Sequence, residues 1–244
     1  MLININQINE SWHSFVLDES VQKELTIIEK KLKNTKYFPR KKNIFRFMNQ
    51  DLYNLNYVLM GMDPYPQEYE LIYPNGDVKI RPVATGRCFE PDYLDDWDDE
   101  MNKSLENILK VIYLNENNTI KSINEIREEI ANNEFKILPP HEWFDNLENQ
   151  GILLLNYSLT VKAYNPGSHI NLWSNFTTKL VNYITENNNN INWILLGKNA
   201  QMIDKYIDNK KVIYGPHPSY YTFVNKNNCF KDLDIDFTGY QKKR

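Results

Sequence analysis

Gly151-Ile152-Leu153-Leu154-Leu155-Asn156 runs from a turn residue through four consecutive aliphatic side chains into an amide. An apolar run this short, with no polar alternation, reads as a strand buried on both faces, the kind found in parallel sheets. Three other runs share its character: Tyr57-Val58-Leu59-Met60-Gly61, Trp193 to Gly197, and Val212 to Gly215. Helical candidates lie at Glu19–Lys33, Lys103–Tyr113, Ile120–Ala131, Trp173–Glu186 and Ala200–Ile207. Strand and helix in this alternation predict an α/β fold, with a central four-stranded parallel sheet and helices on both faces. No repeat and no Gly/Ser- or Pro-rich linker divides the chain, so residues 1–244 are expected to form a single domain.

The residues after each run locate the chemistry. The first run continues into Asp63-Pro64-Tyr65-Pro66, and the second ends on Asn156. The third ends at Gly197-Lys198-Asn199, and the fourth enters Pro216-His217-Pro218-Ser219. In an open parallel sheet these are all carboxyl ends, and that edge is where such sheets bind ligands. Asp63, Tyr65, Asn156 and His217 are therefore expected to converge. Singly, each has a plainer reading. Asp before Pro favours a turn, and a loop histidine is ordinary unless, as here, prolines brace it on both sides. Asn156 would be nearly buried, and a buried amide needs partners; its paired donor and acceptor suit the edge of a base.

Composition narrows the class. No apolar run approaches the roughly 18 residues needed to span a bilayer, and the first residues lack a secretory apolar core. A cytoplasmic, membrane-free protein is expected, nucleoid-associated in a bacterium. Cys88 and Cys229 belong to no CxxC pair, which argues against zinc or iron–sulfur ligation and for two thiols. The net charge of −4 does not advertise nucleic-acid binding, although one flipped base needs only a small basic footprint. The 16 tyrosines mostly serve packing but are also able to stack on bases. The Asn187–Asn190 run reads as solvated loop.

The motifs carry a specific resemblance. Gly61-Met62-Asp63-Pro64-Tyr65-Pro66 resembles the GQDPYH motif of family-1 uracil-DNA glycosylases, and Gly86-Arg87-Cys88-Phe89 their GLAF segment. Gly151 to Asn156 with Leu159-Thr160-Val161 is similar to GVLLLN…LTV, Gly197-Lys198-Asn199-Ala200-Gln201 to WGxxAQ, and His217-Pro218-Ser219 to HPSPLS. Weaker similarity covers Ser11-Trp12-His13, Phe38-Pro39 through Phe45, and Ser168-His169 before Trp173. Five motifs in family order make chance a poor explanation.

The resemblance implies a uracil-DNA glycosylase fold and hydrolysis of the N-glycosidic bond of a uridine flipped out of DNA, leaving an abasic site. It places Phe89 against the uracil ring, Asn156 on its Watson–Crick edge, and Tyr65 where it rejects the thymine methyl. Asp63 would stabilise the sugar cation and orient water, while His217 would donate a hydrogen bond to the uracil oxygen. Met62 joins the substrate wall; Gly197, Lys198, Ser219, Tyr220 and Tyr221 belong to the DNA-binding loops. Neither a metal nor an organic cofactor is implied. Partners implied are uracil-containing DNA and an acidic DNA-mimicking inhibitor protein, with the enzyme a monomer.

The chain departs from the pattern in places. Met62 replaces the motif glutamine, Pro66 its histidine, and Tyr220 and Tyr221 stand where the family has Pro and the wedging Leu; a tyrosine is able to wedge by stacking. Asn75-Gly76 between Ile72-Tyr73 and Val78-Lys79-Ile80 predicts a small hairpin over the pocket mouth. In place of the family's proline-rich, phosphate-gripping loop come Asp92, Asp95, Asp96, Asp98, Asp99 and Glu100, which would repel phosphates at close range. The plainer reading of that stretch is a solvated lead-in to the helix at Lys103. These departures leave one alternative: a weakened or inactive glycosylase fold that binds DNA or the inhibitor without catalysis. An unrelated α/β hydrolase would need a G-x-S-x-G elbow, which the sequence lacks.

Overall fold

The computed structural model describes residues 2–207 and 211–240. The elements begin with α1 (His13–Leu17), α2 (Glu19–Leu32), β1 (Tyr37–Phe38), β2 (Tyr57–Gly61), β3 (Glu68–Ile72) and β4 (Val78–Pro82). Next come α3 (Lys103–Asn117), α4 (Ile123–Ala131), α5 (Pro140–Asn149), β5 (Ile152–Asn156), β6 (Val161–Lys162), α6 (Ile170–Asn187), β7 (Asn192–Leu196) and β8 (Val212–Gly215). The four apolar runs are the four strands of one parallel sheet, in the order β5-β2-β7-β8. The predicted α/β class holds.

Why the runs carry no polar alternation is visible in where successive residues go. Val58, Met60, Leu153, Leu155, Trp193 and Leu195 face one apolar core. Their neighbours Leu59, Ile152, Leu154, Ile194 and Leu196 face another on the opposite side. Helices α2 and α6 cover the first face; α3 and α5 cover the second. Helix α2 buries Val21, Leu25, Ile28 and Leu32, the spacing of one helical stripe, and Asp18 caps it by accepting the Ser20 and Val21 N–H groups. Asn102 caps α3 in the same way, and Ser122 with Glu125 forms a capping box on α4.

Some expectations need correction. Ala200–Tyr206 is a 3-10 helix, not an α-helix: no side chain caps its start and it buries only Ala200 and Ile203. Helices α1 and α5 were not anticipated, although Pro140 at the start of α5 is a recognisable first-turn signal. The expected hairpin forms as β3 paired with β4, with Asn75-Gly76 in the turn between them. Pro74 leads the turn, the Gly76 N–H donates to the Tyr73 carbonyl at 2.9 Å, and Gly76 takes a positive φ of 85°. The hairpin does not roof the pocket, however, since none of its strand residues lines the cleft described below. Its base is tied outward instead, with Tyr69 Oη 2.8 Å from Asp92 and Arg81 paired to the same carboxylate. No helix among the described residues is long and apolar enough to cross a membrane.

Candidate active site

The chain leaves β2 towards β5 and leaves β7 towards β8, so a crevice opens at the carboxyl edge where the directions diverge. A cleft of about 160 Å³ lies there, lined by Met62, Asp63, Tyr65, Phe89, Asn156 and His217 among others. A larger groove of about 660 Å³ lies behind Tyr65, but it gathers none of the other five. Convergence of reactive groups, not volume, marks the site.

Each group is held by a local reason. Gly61 ends β2 opposite Asn156, and a Cβ on it would fall 2.5 Å from Asn156 Oδ1 and 2.9 Å from Cys88 Cβ. Only glycine lets the amide stand so close. Asn156 is 3% exposed and lines the cleft, and its amide makes no hydrogen bond to a described residue. A buried amide without a protein partner is costly unless a ligand or water completes it. The Tyr157 and Ser158 N–H groups donate to the Gly61 and Met62 carbonyls at 2.9 Å each, which fixes where the chain turns into Asp63.

Asp63 accepts the Gly167 N–H at 2.6 Å. Burial raises its pKa above the ordinary carboxylate value, and the Gly167 N–H offsets part of that. Burial acts in the complementary sense on His217, lowering its pKa and favouring the neutral ring. Its Nδ1 accepts the Ser219 N–H at 3.2 Å and lies 2.8 Å from Ser219 Oγ. A backbone N–H only donates, so Nδ1 carries a lone pair and the ring proton sits on Nε2. A neutral N–H donor therefore faces a carboxylate acceptor within one small cleft.

Phe89 adopts φ 64°, a left-handed conformation unusual for an aromatic residue and costing of order 1–3 kcal/mol. The surroundings impose it. The Tyr65 hydroxyl donates to the Phe89 carbonyl at 3.1 Å, and Asn102 Nδ2 donates to that hydroxyl at 2.8 Å. Arg87, standing where the GLAF motif has leucine, is buried and paired with Glu90 at 2.9 Å, with Asp145 at 2.5 Å and with Glu148. That cluster braces the loop on both sides of Phe89. Met62 does not leave a gap where the motif glutamine would be; its sulfur accepts the Asn199 amide at 2.7 Å.

The loops assigned to DNA lie on the rim. Lys198 is exposed, Tyr220 is 62% exposed and Tyr221 86%. Gly197, φ 84°, passes so close to His217 that a Cβ would lie 2.9 Å from the histidine's own. The acidic stretch is internally satisfied. Asp99 accepts the Asp95 and Asp96 N–H groups, Asp96 accepts that of Asp98, and buried Leu94 and Trp97 anchor the loop. Those bonds support the plainer reading of it as a built lead-in to α3. Cys88 and Cys229 are both free, and burial pushes the Cys229 thiol up to about 11.

Three supporting residues escaped the sequence. Gly167 reaches Asp63 only through the tertiary fold. Asn102, the cap of α3, likewise reaches the Tyr65 hydroxyl only through the tertiary fold. Asn107, buried in α3, donates to the Pro218 carbonyl at 2.6 Å and pins the His217 loop; a polar residue within an otherwise apolar helical stripe was its legible signal.

Fold and cleft define the class first: an α/β protein with a single-ring-sized cleft at the sheet's carboxyl edge, bearing a carboxylate, a neutral imidazole, an unpaired amide and an aromatic wall. No family model matches the chain. Curated relatives do. The uracil-DNA glycosylase of Mycoplasmopsis pulmonis is 31% identical over 220 residues, covering 86% of this chain and 83% of the relative. That of Mesomycoplasma hyopneumoniae is 29% identical over 244 residues, covering 96% and 94%. Among solved structures, the mimivirus uracil-DNA glycosylase aligns with a TM-score of 0.65 at 25% identity, over 90% of this chain and 72% of that one. The enzyme from Nitratifractor salsuginis reaches 0.69 at 21% identity, over 91% and 89%. A mimivirus variant of the same fold, TM-score 0.64 at 24% identity over 89% and 73%, was solved in complex with UGI. Similarity sustained along nearly the whole fold leaves one assignment: the chain belongs to the uracil-DNA glycosylase family.

Asn107→Leu should remove the pin on the His217 loop and leave buried carbonyls unpaired. We expect a loss of about 1–3 kcal/mol in denaturant unfolding. Faster amide exchange at residues 217–221 than elsewhere should accompany it.

Proposed function

We propose that the cleft excises uracil from DNA, hydrolysing the N-glycosidic bond of a flipped-out uridine. The observation that carries this reading is that Asp63 and His217 line one cleft, with the His217 Nδ1 accepting the Ser219 N–H so that Nε2 is left as the ring's donor. Cleavage of that bond develops positive charge on the sugar and negative charge on the uracil oxygen. A carboxylate answers the first charge and an N–H donor the second, both preorganised in a partly buried site where electrostatics is strengthened. The unsatisfied Asn156 amide matches the donor–acceptor edge of uracil, and Phe89 supplies the face on which it stacks. Tyr65, with its hydroxyl fixed on both sides, would crowd the C5 position and exclude thymine by its methyl group.

The protein would act as a monomer and a single domain over residues 1–244, alongside DNA in the cytoplasm. Lys198, Ser219, Tyr220 and Tyr221 on the rim would meet the strand, with Tyr221 in the wedge position. An acidic DNA-mimicking inhibitor protein is a second partner for this edge, on the analogy of the mimivirus complex with UGI. The alternative of a binding protein without catalysis has little support, because Asp63, Asn156 and His217 are all in place.

Release of uracil from single- and double-stranded DNA by the purified protein tests the reading directly. Asp63→Asn, which keeps an acceptor for Gly167, and His217→Ala should each lower excision about 10²–10³-fold, the size of a typical preorganised contact. Wild-type protein without excision on any uracil-containing DNA would remove the enzyme reading. The pH profile gives an independent check. Both active forms are deprotonated, Asp63 with a raised pKa and His217 with a lowered one. Activity should therefore be flat at neutral pH and fall only on the acid side, with the limb above the ordinary carboxylate range and below that of an ordinary histidine. A limb centred above the ordinary histidine value would contradict the neutral His217.

A further inference from the structure

The most basic stretch of the chain overlaps only the weak similarity over residues 38–45 and contributes no lining residue to the cleft. Residues 30–46 contain eight lysines and arginines and no acid, in a protein of net charge −4. Two of these cations are engaged: Lys36 with Glu68, and Arg46 with Glu90 and Asp145. The other six, Lys30, Lys31, Lys33, Arg40, Lys41 and Lys42, form no ion pair among the described residues. All of these but Arg40 are exposed, and Arg40 is half-buried. Like charges gathered within about a Debye length, ~8 Å at physiological salt, repel one another unless an anion offsets them.

Their place in the fold says which anion. At one end of the stretch, β1 pairs with β6 and the Lys36 carbonyl accepts the Ala163 N–H at 3.0 Å. That end abuts the loop whose Gly167 holds Asp63. At the other end the Asn43 carbonyl packs on Gly86, where a Cβ would meet its oxygen at 2.3 Å, so this end rests on the loop that carries Phe89. The stretch is therefore held at one end beside the segment that leads to Gly167 and at the other against the loop that carries Phe89. Lys30, Lys33 and Lys41 converge on one groove of about 570 Å³, shared with Thr35 and Tyr37, with Glu29 as the acid among its lining residues. The opposite side of the Phe89 loop is acidic, with the Asp95 and Asp98 side chains 85% and 87% exposed. The paired cluster of Arg87, Glu90, Asp145 and Glu148 lies between.

We propose that the surface formed by Arg40, Lys41, Lys42 and the Lys30–Lys33 groove binds the DNA phosphate backbone at phosphates beyond those that flank the flipped nucleotide. It takes the part that the acidic loop, standing in the place of a phosphate-gripping one, is unable to play. The inference rests on the glycosylase reading for its ligand, and its test is separable from that reading because phosphate binding does not require a uracil. Phosphate contacts release counterions, and each contributes about 0.9 to the slope of log affinity against log salt.

The test is fluorescence titration of a uracil-free duplex between low and physiological salt, comparing wild type with Arg40→Gln/Lys41→Gln/Lys42→Gln. Uracil excision from a trinucleotide, too short to reach the surface, is measured alongside. We expect the triple variant to bind about tenfold or more weakly at low salt, with a slope shallower by roughly two to three, and trinucleotide excision unchanged. Lys136→Gln, exposed and remote in sequence from the stretch, should leave the slope as it is. Lys30→Gln/Lys33→Gln, in the last turn of the well-packed α2 and at its C-cap, should reduce the slope as well and carries the test if the triple variant fails to fold. Wild-type slope and affinity in folded variants would overturn the proposal. A reduced slope in a protein that excises no uracil would keep the phosphate surface and discard the glycosylase reading.

Discussion

The site depends on how closely two parallel strands approach at their carboxyl ends. Gly61 has no side chain, so the amide of Asn156 stands directly against β2, and Cys88 packs into the same gap. With β2 and β5 in register through Gly61 and Asn156, the hydrogen bonds from Tyr157 and Ser158 carry their pairing one step past the sheet. Asp63 then leaves β2 at a fixed point, facing Gly167 on one side and the cleft on the other. A larger residue at Gly61 would push apart the two strands that carry the recognition amide and the carboxylate. One missing Cβ thus couples sheet packing to the geometry of a reacting pair.

Around that contact the protein manages charge in opposite ways. Within the cleft, burial keeps Asp63 readier to be protonated and His217 readier to be neutral than either would be in water. Asp63 forms no ion pair among the described residues, so its charge is available to a ligand. One loop away, Arg87 is buried with three carboxylates around it, and the same low dielectric serves to lock a backbone. The lock bears on function because Phe89 is held with a positive φ that it would not adopt by itself. Arginine in place of the motif's leucine is then an alternative means of fixing the stacking wall.

The sheet was legible because β2, β5 and β7 are buried on both sides, which writes itself as an unbroken apolar run such as Leu153-Leu154-Leu155. At one edge of the sheet, β8 shares the apolar run but not the burial, and leaves Tyr214 exposed. The convergence of Asp63, Asn156 and His217 came from one rule about the carboxyl ends of parallel strands. The features that stayed hidden depend on tertiary partners. Nothing in Asn165-Pro166-Gly167 announces a hydrogen bond to Asp63, and nothing near Asn75-Gly76 says that the hairpin base is pulled away towards Asp92. The acidic stretch was read by its charge, whereas its structure comes from Asp99 capping its own backbone and from Leu94 and Trp97 below. Conversely, the basic run from Lys30 to Arg46 was legible from the start and was averaged away by a net charge of −4.

One cleft, on this reading, presents three ready groups to a uracil ring: the Asn156 amide, the Phe89 face and the His217 Nε2–H. A crystal structure of the protein with uracil bound tests this most directly. The ring should lie on Phe89 with its edge hydrogen-bonded by Asn156. His217 Nε2 should stand within hydrogen-bonding distance, about 2.7–3.2 Å, of a uracil oxygen, while Nδ1 still accepts from Ser219. Uracil bound elsewhere, or bound here with His217 turned so that Nδ1 no longer accepts the Ser219 N–H, would contradict it.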